Sequence, residues 1–254
     1  MASGDFLGKA ALVTGAASGI GLATAQLLAA RGVSRLIVTD WLAEGLAALD
    51  GLGCTLVKLV GDVADARFWE DAAPQLAGLD LALVNAGVSG SGSITSLDFT
   101  EWRRVLKTNL DGAFLSLQAA MRAMEGRGGA IVVTASASGL KAEVGTAAYG
   151  ASKAGLLQLM RVAAKEGAGQ GIRVNAIALA GVETAMWRTM PFFADAVVAA
   201  GSEAAVFANI AQAGTPLGRF ATPQEIAAQI GFLLSDDAAT ITGATLTSDG
   251  GYLL

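Results

Sequence analysis

The sequence predicts a single α/β domain, doubly wound, with a seven-stranded parallel sheet and helices on both faces. Three observations predict it. Short apolar, β-branched runs alternate with longer helix-like stretches along the whole chain, and strand–helix–strand repetition of this kind builds a parallel sheet. Leu12-Val13 and residues 131–133 are continuously apolar, as strands buried on both faces are. The chain has 254 residues, 53% hydrophobic and 15% charged. One domain fills that length, and the composition supports a large core and argues against disorder. No linker, low-complexity segment or internal repeat divides residues 1–254.

The strands are predicted at 10–14, 35–40, 54–59, 79–84, 130–135, 173–178 and 244–248. Helices are predicted between them at 20–31, 42–50, 64–76, 100–124, 149–167 and 223–234. Thr222-Pro223-Gln224-Glu225 marks a helix start: a capping threonine, proline at the first helical position and glutamate three residues after the cap. Thr100-Glu101-Trp102 opens the long helix in a similar, weaker way. From about residue 184 to 215 the chain is apolar, has few strand signals and carries Pro191. It is too long for an ordinary connection, so it reads as a substrate loop or lid. A pair of helices completing the core is the alternative.

Composition narrows the chemistry. The chain has no histidine and one cysteine, Cys54, so neither a His-dependent hydrolase nor a His-based metal site can be built. No metal is expected, and acid/base work falls to Tyr, Lys, Asp or Glu. A lone cysteine forms no internal disulfide. Met1 to Lys9 lack a basic start followed by an apolar run, and no stretch approaches the ~20 apolar residues of a membrane span. A cytoplasmic protein without membrane contact is the expectation. The net charge is −5 and the 17 Lys and Arg residues are scattered, which argues against nucleic acid.

Thr14-Gly15-Ala16-Ala17-Ser18-Gly19-Ile20-Gly21 follows the first strand and opens the first helix. Glycines there permit a tight turn and let backbone amides approach a pyrophosphate at the positive end of the helix. The spacing G-x-x-x-G-x-G resembles the signature of the short-chain dehydrogenase/reductase family, whose fold is the Rossmann type. On that resemblance Gly15, Ser18, Gly19, Ile20 and Gly21 hold the cofactor. Asp40 closes the second strand, 19 residues after Gly21. Its carboxylate can accept both ribose hydroxyls of adenosine and would repel a 2′-phosphate; Trp41 beside it is no phosphate-binding arginine. NAD is therefore expected over NADP. Asp62-Val63 and Asn85-Ala86-Gly87 follow the third and fourth strands, at the carboxyl ends where open α/β sheets bind ligands. The resemblance assigns Asp62 and Val63 to the adenine ring and Asn85, Ala86 and Gly87 to the cofactor wall. Val84 stands where the family usually has a first asparagine.

Tyr149 and Lys153 are four residues apart, so on a helix they share a face. A phenol ordinarily titrates near ~10. The adjacent ammonium, with the positive ring of an oxidised nicotinamide, is expected to lower that value, so that Tyr149 takes a proton from an alcohol or returns it to a ketone. Alone, such a pair is a common helix-surface arrangement. Ser136 follows an apolar strand and precedes Tyr149 by 13 residues, the family's usual separation; Ser138, at 11, is the competing candidate. The resemblance implies that Ser136 bonds the substrate oxygen, that Asn109 holds a water linking Lys153 to solvent, and that Lys153 also holds the nicotinamide ribose. It also implies that Val182 and Thr184 contact the carboxamide. Leu179-Ala180 replaces the family's Pro-Gly, which is expected to loosen that turn and move its flexible point to Gly181.

The resemblance covers nearly the whole chain, and it implies an NAD-dependent oxidoreductase acting on a secondary alcohol or ketone. The substrate contacts expected are Ser136, Ser138, Val144, Tyr149 and Trp187. The wider pocket lining predicted around them, with Leu140, Met186, Met190 and Phe192, is mostly apolar and favours a modest-sized, uncharged, apolar or aromatic substrate. Two alternatives remain: a ketoreductase on CoA- or carrier-linked 3-oxoacyl chains, and a non-catalytic NAD-binding sensor. Helices around 109–124 and 149–164 are apolar on more than one face, which predicts a homotetramer or a dimer.

Overall fold

The computed structural model describes residues 5–190 and 192–254. Residues 1–4 and Pro191 lie outside them, and with them part of the predicted domain span, of the start read as leaderless, and of the predicted lid. Seven strands form one parallel sheet: β1 (Ala10–Thr14), β2 (Arg35–Asp40), β3 (Thr55–Val60), β4 (Leu81–Val84), β5 (Gly129–Ser136), β6 (Ile172–Leu179) and β7 (Thr245–Ser248). Their order is β3-β2-β1-β4-β5-β6-β7. The winding reverses between β1 and β4, registered Ala11 against Leu81 and Val13 against Leu83. A crevice therefore opens at the carboxyl ends of these two strands.

Eight α-helices are described: α1 (Gly19–Ala30), α2 (Ala66–Ala72), α3 (Phe99–Leu106), α4 (Gly112–Met124), α5 (Ala147–Ala168), α6 (Phe193–Ala200), α7 (Glu203–Gly214) and α8 (Pro223–Leu234). One buried cluster, with Leu12, Ile131, Leu117 and Leu156, packs α4 and α5 on one face of the sheet. A second, with Val13, Val38, Leu28 and Ile230, packs α1 and α8 on the other. α8 starts as predicted, with a reciprocal capping box between Thr222 and Glu225.

Three element predictions need correction. Residues 42–50 form a short 3-10 helix, Ala43–Leu49, that buries Leu46 and Leu49. Gly45 lies so close to Ala17 that a Cβ would stand 2.5 Å from the alanine methyl, which leaves little room for a wider turn. In 64–76 the α-helix stops at Ala72, and a 3-10 turn continues over Ala73–Leu76; Pro74 there has no N–H to offer the α ladder. The long helix 100–124 is divided by a π turn, Lys107–Asp111, between α3 and α4. Its cap is Asp98, whose carboxylate accepts the Thr100 N–H at 2.6 Å, not Thr100. The apolar stretch after 184 holds a 3-10 turn, Ala185–Thr189, then α6 and α7, the pair of helices given as the alternative to a loop. Phe193, Val206, Phe207, Ala211 and Phe220 give it a small core of its own. Among the described residues no single helix is long and apolar enough to cross a membrane; α6 and α7 together would be, but they meet at 102°.

Candidate active site

The turn after β1 is shaped by what its glycines exclude. Gly15 has φ +67°, and a Cβ there would lie 2.9 Å from the Ala86 Cα. At Gly21 a Cβ would stand 2.0 Å from the Gly15 carbonyl oxygen. Gly19, at φ +53°, passes under Thr184, whose methyl would be 3.2 Å from a Cβ; the predicted Thr184 therefore covers the turn. Ser18 sits at the N-cap of α1, but its side chain makes no capping bond, and the first turn carries no acid. Ile20 follows in that first turn. A glycine cradle against an uncapped helix start fits a pyrophosphate.

Around this turn lie the other predicted cofactor residues. The Asp40 carboxylate accepts the Ala17 N–H at 3.0 Å through one oxygen and the Leu42 N–H at 3.1 Å through the other. Each oxygen keeps a free lone pair. Trp41 next to it is 72% exposed. Asp62 accepts from Ala64 N–H and from Lys107 Nζ, both at 2.9 Å. The backbone hydrogen bond and the ammonium hold its carboxyl below the usual range despite partial burial. Val63 is buried and its carbonyl accepts the Trp69 indole N–H. The Asn85 amide donates to the Thr14 and Gly15 carbonyls, so it braces the glycine turn from β4. Val182 is buried and bridges to Ala221.

The predicted catalytic residues converge at the carboxyl ends of β4 and β5. Lys153, 4% exposed, donates to the Thr134 carbonyl at 2.8 Å, and its Nζ stands 5.7 Å from the Tyr149 ring centroid. Burial lowers the Lys153 ammonium from 10.5 to about 8. Burial also pushes the Tyr149 phenol up, and a hydrogen bond with Ser136 works the other way. Of these two effects on the phenol, burial is the larger. Ser136 is buried at the end of β5, and its hydroxyl accepts the Ser138 N–H at 3.1 Å. Here Ser136, not Ser138, bonds Tyr149. Asn109, 1% exposed on the π turn, accepts the Val88 N–H at 2.8 Å and donates to the Val88 carbonyl at 3.0 Å. A Cβ on Gly87 would meet Asn109 Oδ1 at 3.2 Å and Lys153 Nζ at 3.6 Å, so this glycine lets both approach.

Of the predicted substrate residues, Val144 is fully exposed on the loop before α5. Trp187 turns into the aromatic cluster, stacked on Phe220 at 5.2 Å, with its indole N–H on the Val182 carbonyl at 2.9 Å. Gly181 makes no use of the left-handed conformation open to glycine: its φ lies outside that region. It is glycine for space, since a Cβ would lie 2.1 Å from the Phe220 ring. Three supporting residues escape a sequence reading. The Thr14 hydroxyl accepts the Asn85 and Ala86 N–H groups. Thr134 holds Lys153 through its carbonyl and Asn85 through its hydroxyl. Ser152, wholly buried, donates to the Tyr149 carbonyl at 2.7 Å and accepts from Asn109. Of the three, only Thr14, a hydroxyl closing β1, carries a signal in the sequence.

A family model described as enoyl-(acyl carrier protein) reductase matches residues 15–253. The cis-4-hydroxycyclohexanecarboxylate dehydrogenase of Sinomonas cyclohexanicum is 40% identical, over 97% of this chain and 97% of that protein. The chain belongs to the short-chain dehydrogenase/reductase family. The 3-oxoacyl-(acyl-carrier-protein) reductase FabG of Escherichia coli is 36% identical, over 98% of this chain and 99% of the relative. A solved short-chain type dehydrogenase/reductase from Mycobacterium marinum superposes with TM-score 0.84 at 30% identity, covering 98% and 96% of the two chains. As a short-chain dehydrogenase/reductase, the chain is an oxidoreductase of alcohol and ketone substrates that works with a nicotinamide cofactor.

Proposed function

We propose that the chain is an NAD-dependent dehydrogenase of a modest-sized secondary alcohol, running reversibly with the ketone. The observation that carries the reading is Tyr149 set between Ser136 and the buried Lys153 at the open ends of the sheet. When bound, the nicotinamide supplies or accepts the hydride. Tyr149 exchanges the proton at the substrate oxygen, and Ser136 donates a hydrogen bond to that oxygen and steadies its developing charge. Lys153 supports the phenolate electrostatically and holds the ribose, while Asn109 ties the π turn to the Val88 backbone beside it.

Gly15, Ser18, Gly19, Ile20 and Gly21 would hold the pyrophosphate, and Asp40 the adenosine ribose. The Asp40 carboxylate and the absence of an adjacent arginine favour NAD over NADP. Trp41, Asp62 and Val63 would line the adenine side; Asn85, Ala86, Gly87, Val182 and Thr184 the nicotinamide side. α6 and α7 serve as the lid over the substrate, whose contacts include Ser138, Val144 and Trp187. The 40% identical relative named for a hydroxycyclohexanecarboxylate supports a cyclic alcohol. Arg188, the cation on the lid, is already taken by Glu203 at 2.8 Å, which fits an uncharged substrate better. The assembly we infer is a cytoplasmic homotetramer, packing partly exposed Phe114 and Val162 of α4 and α5 between copies.

A second reading, reduction of 3-oxoacyl chains on a carrier or CoA, is favoured by the relatives named for that activity. A screen following NADH absorbance separates the two. Cyclic and aromatic secondary alcohols with NAD are expected to turn over faster than 3-oxoacyl-CoA with NADH or NADPH. The opposite order would establish the second reading.

A further inference from the structure

The second tyrosine of the chain, Tyr252, is bonded to the loop that leads into the site. Asp249 folds the last residues into a turn: its two carboxylate oxygens accept the Gly251 and Leu253 N–H groups, each at 2.9 Å. Gly250 and Gly251 have φ +64° and +88°, a conformation other residues rarely adopt. This turn docks on the end of α7. Leu217 N–H donates to the Gly250 carbonyl at 3.0 Å, and a Cβ on Gly251 would stand 2.9 Å from the Pro216 ring.

From there Tyr252 reaches the loop 140–146. Its hydroxyl donates to the Glu143 carboxylate. Lys141 places its Nζ 4.3 Å from the Tyr252 ring centroid, donates to the Tyr252 carbonyl at 3.4 Å and stands 3.9 Å from Glu143. The backbone of Glu143 continues the connection. Its carbonyl accepts the Thr146 N–H at 3.3 Å and the Thr146 hydroxyl at 2.8 Å. Thr146 in turn accepts from Gly150 N–H in the first turn of α5, one residue beyond Tyr149. On its outer side the loop is held once more, where Gly92 N–H donates to the Gly145 carbonyl at 2.9 Å.

We propose that the C-terminal turn is a clasp for the loop 140–146 and that Tyr252 is a positioning residue for substrate binding. It touches neither cofactor cradle nor reacting atoms. It joins the chain just after α7, at Pro216 and Leu217, to the loop that carries Val144 and leads into Tyr149. Each exposed polar contact is weak alone. Together they replace the conformational entropy the loop would otherwise keep. Without the clasp the loop samples positions that do not close on the substrate, so binding suffers before the chemical step does. The effect on turnover rests on the dehydrogenase reading above; the effect on the loop does not.

The test uses the full chain with Tyr252→Phe, which removes only the hydroxyl, and Tyr252→Leu, which also removes the ring under Lys141. Hydrogen exchange is expected to rise about tenfold in Tyr252→Leu at the amides of Gly92 and Thr146, less in Tyr252→Phe, with β5 unchanged. In the same variants KM for the alcohol is expected to rise about fivefold, with kcat and NADH affinity within about twofold. Wild-type exchange at Gly92 and Thr146 in both variants would overturn the clasp. Faster exchange with an unmoved KM would overturn the positioning role. A wild-type chain without turnover would count against the dehydrogenase reading, and exchange would still decide the clasp.

Discussion

Burial lowers the Lys153 ammonium to about 8 from the ordinary 10.5, and that has a consequence for stability. Between those values the unfolded chain holds a proton that the folded chain has released, so stability rises with pH across the window. The cost of the buried charge is fully present below about pH 8 and is lost as pH approaches 10.5. Its size is of order 3 kcal/mol. Lys153→Met is therefore expected to gain stability relative to wild type most strongly near pH 7.5, with the gain shrinking by pH 10. Urea unfolding at the two pH values checks it; a difference independent of pH would contradict the assignment. At this scale the four proposed catalytic residues are legible in the sequence: Tyr149 and Lys153 stand four apart and Ser136 precedes Tyr149 by 13, while Asn109 is named by the family resemblance alone. The residues that hold them are not. Thr134 acts through its main chain and Ser152 through a contact 43 positions away, and neither leaves a pattern in the linear chain.

Elements explain where the site gains its rigidity and where the sequence reading falls short. The central strands are legible because a doubly buried strand must be a continuous apolar run; β3 and β7, at the sheet edges, are only partly buried. The π turn at Lys107–Asp111 is not, since its residues carry the same helical periodicity as their neighbours. Yet this turn puts Asn109 against Val88 and Ser152. The turn after β6 gives a sharper prediction. Gly181→Ala forces a methyl to within 2.1 Å of the Phe220 ring, and overpacking of this kind costs about 1–3 kcal/mol. The variant is expected to unfold at lower denaturant, and Gly181→Ala with Phe220→Leu to recover most of the loss. In the α6–α7 segment, Phe193→Ala removes a buried ring from a small core and is expected to cost about 3 kcal/mol. Proteolysis within α6 and α7, with β5 still protected, would mark a segment that loosens on its own.

For the whole molecule, the reversal of strand order between β1 and β4 decides where everything else must sit. The glycine turn, Asn85, Ser136 and Thr184 all come to the same end of the sheet from distant parts of the chain. That convergence is legible as a sequence of strand ends, whereas the grip of the last residues on the loop 140–146 is not. Cofactor choice belongs to this scale as well. Asp40→Ala removes the carboxylate that would oppose a 2′-phosphate, so the ratio of kcat/KM for NAD over NADP is expected to fall about tenfold or more. The account as a whole depends on the Tyr149 phenol exchanging the proton at the substrate oxygen. Its most direct test is Tyr149→Phe, measured for NADH binding by fluorescence and for alcohol oxidation by NADH absorbance. NADH affinity within about twofold of wild type with kcat reduced at least about a thousandfold is the predicted result; kcat near the wild-type value would contradict it.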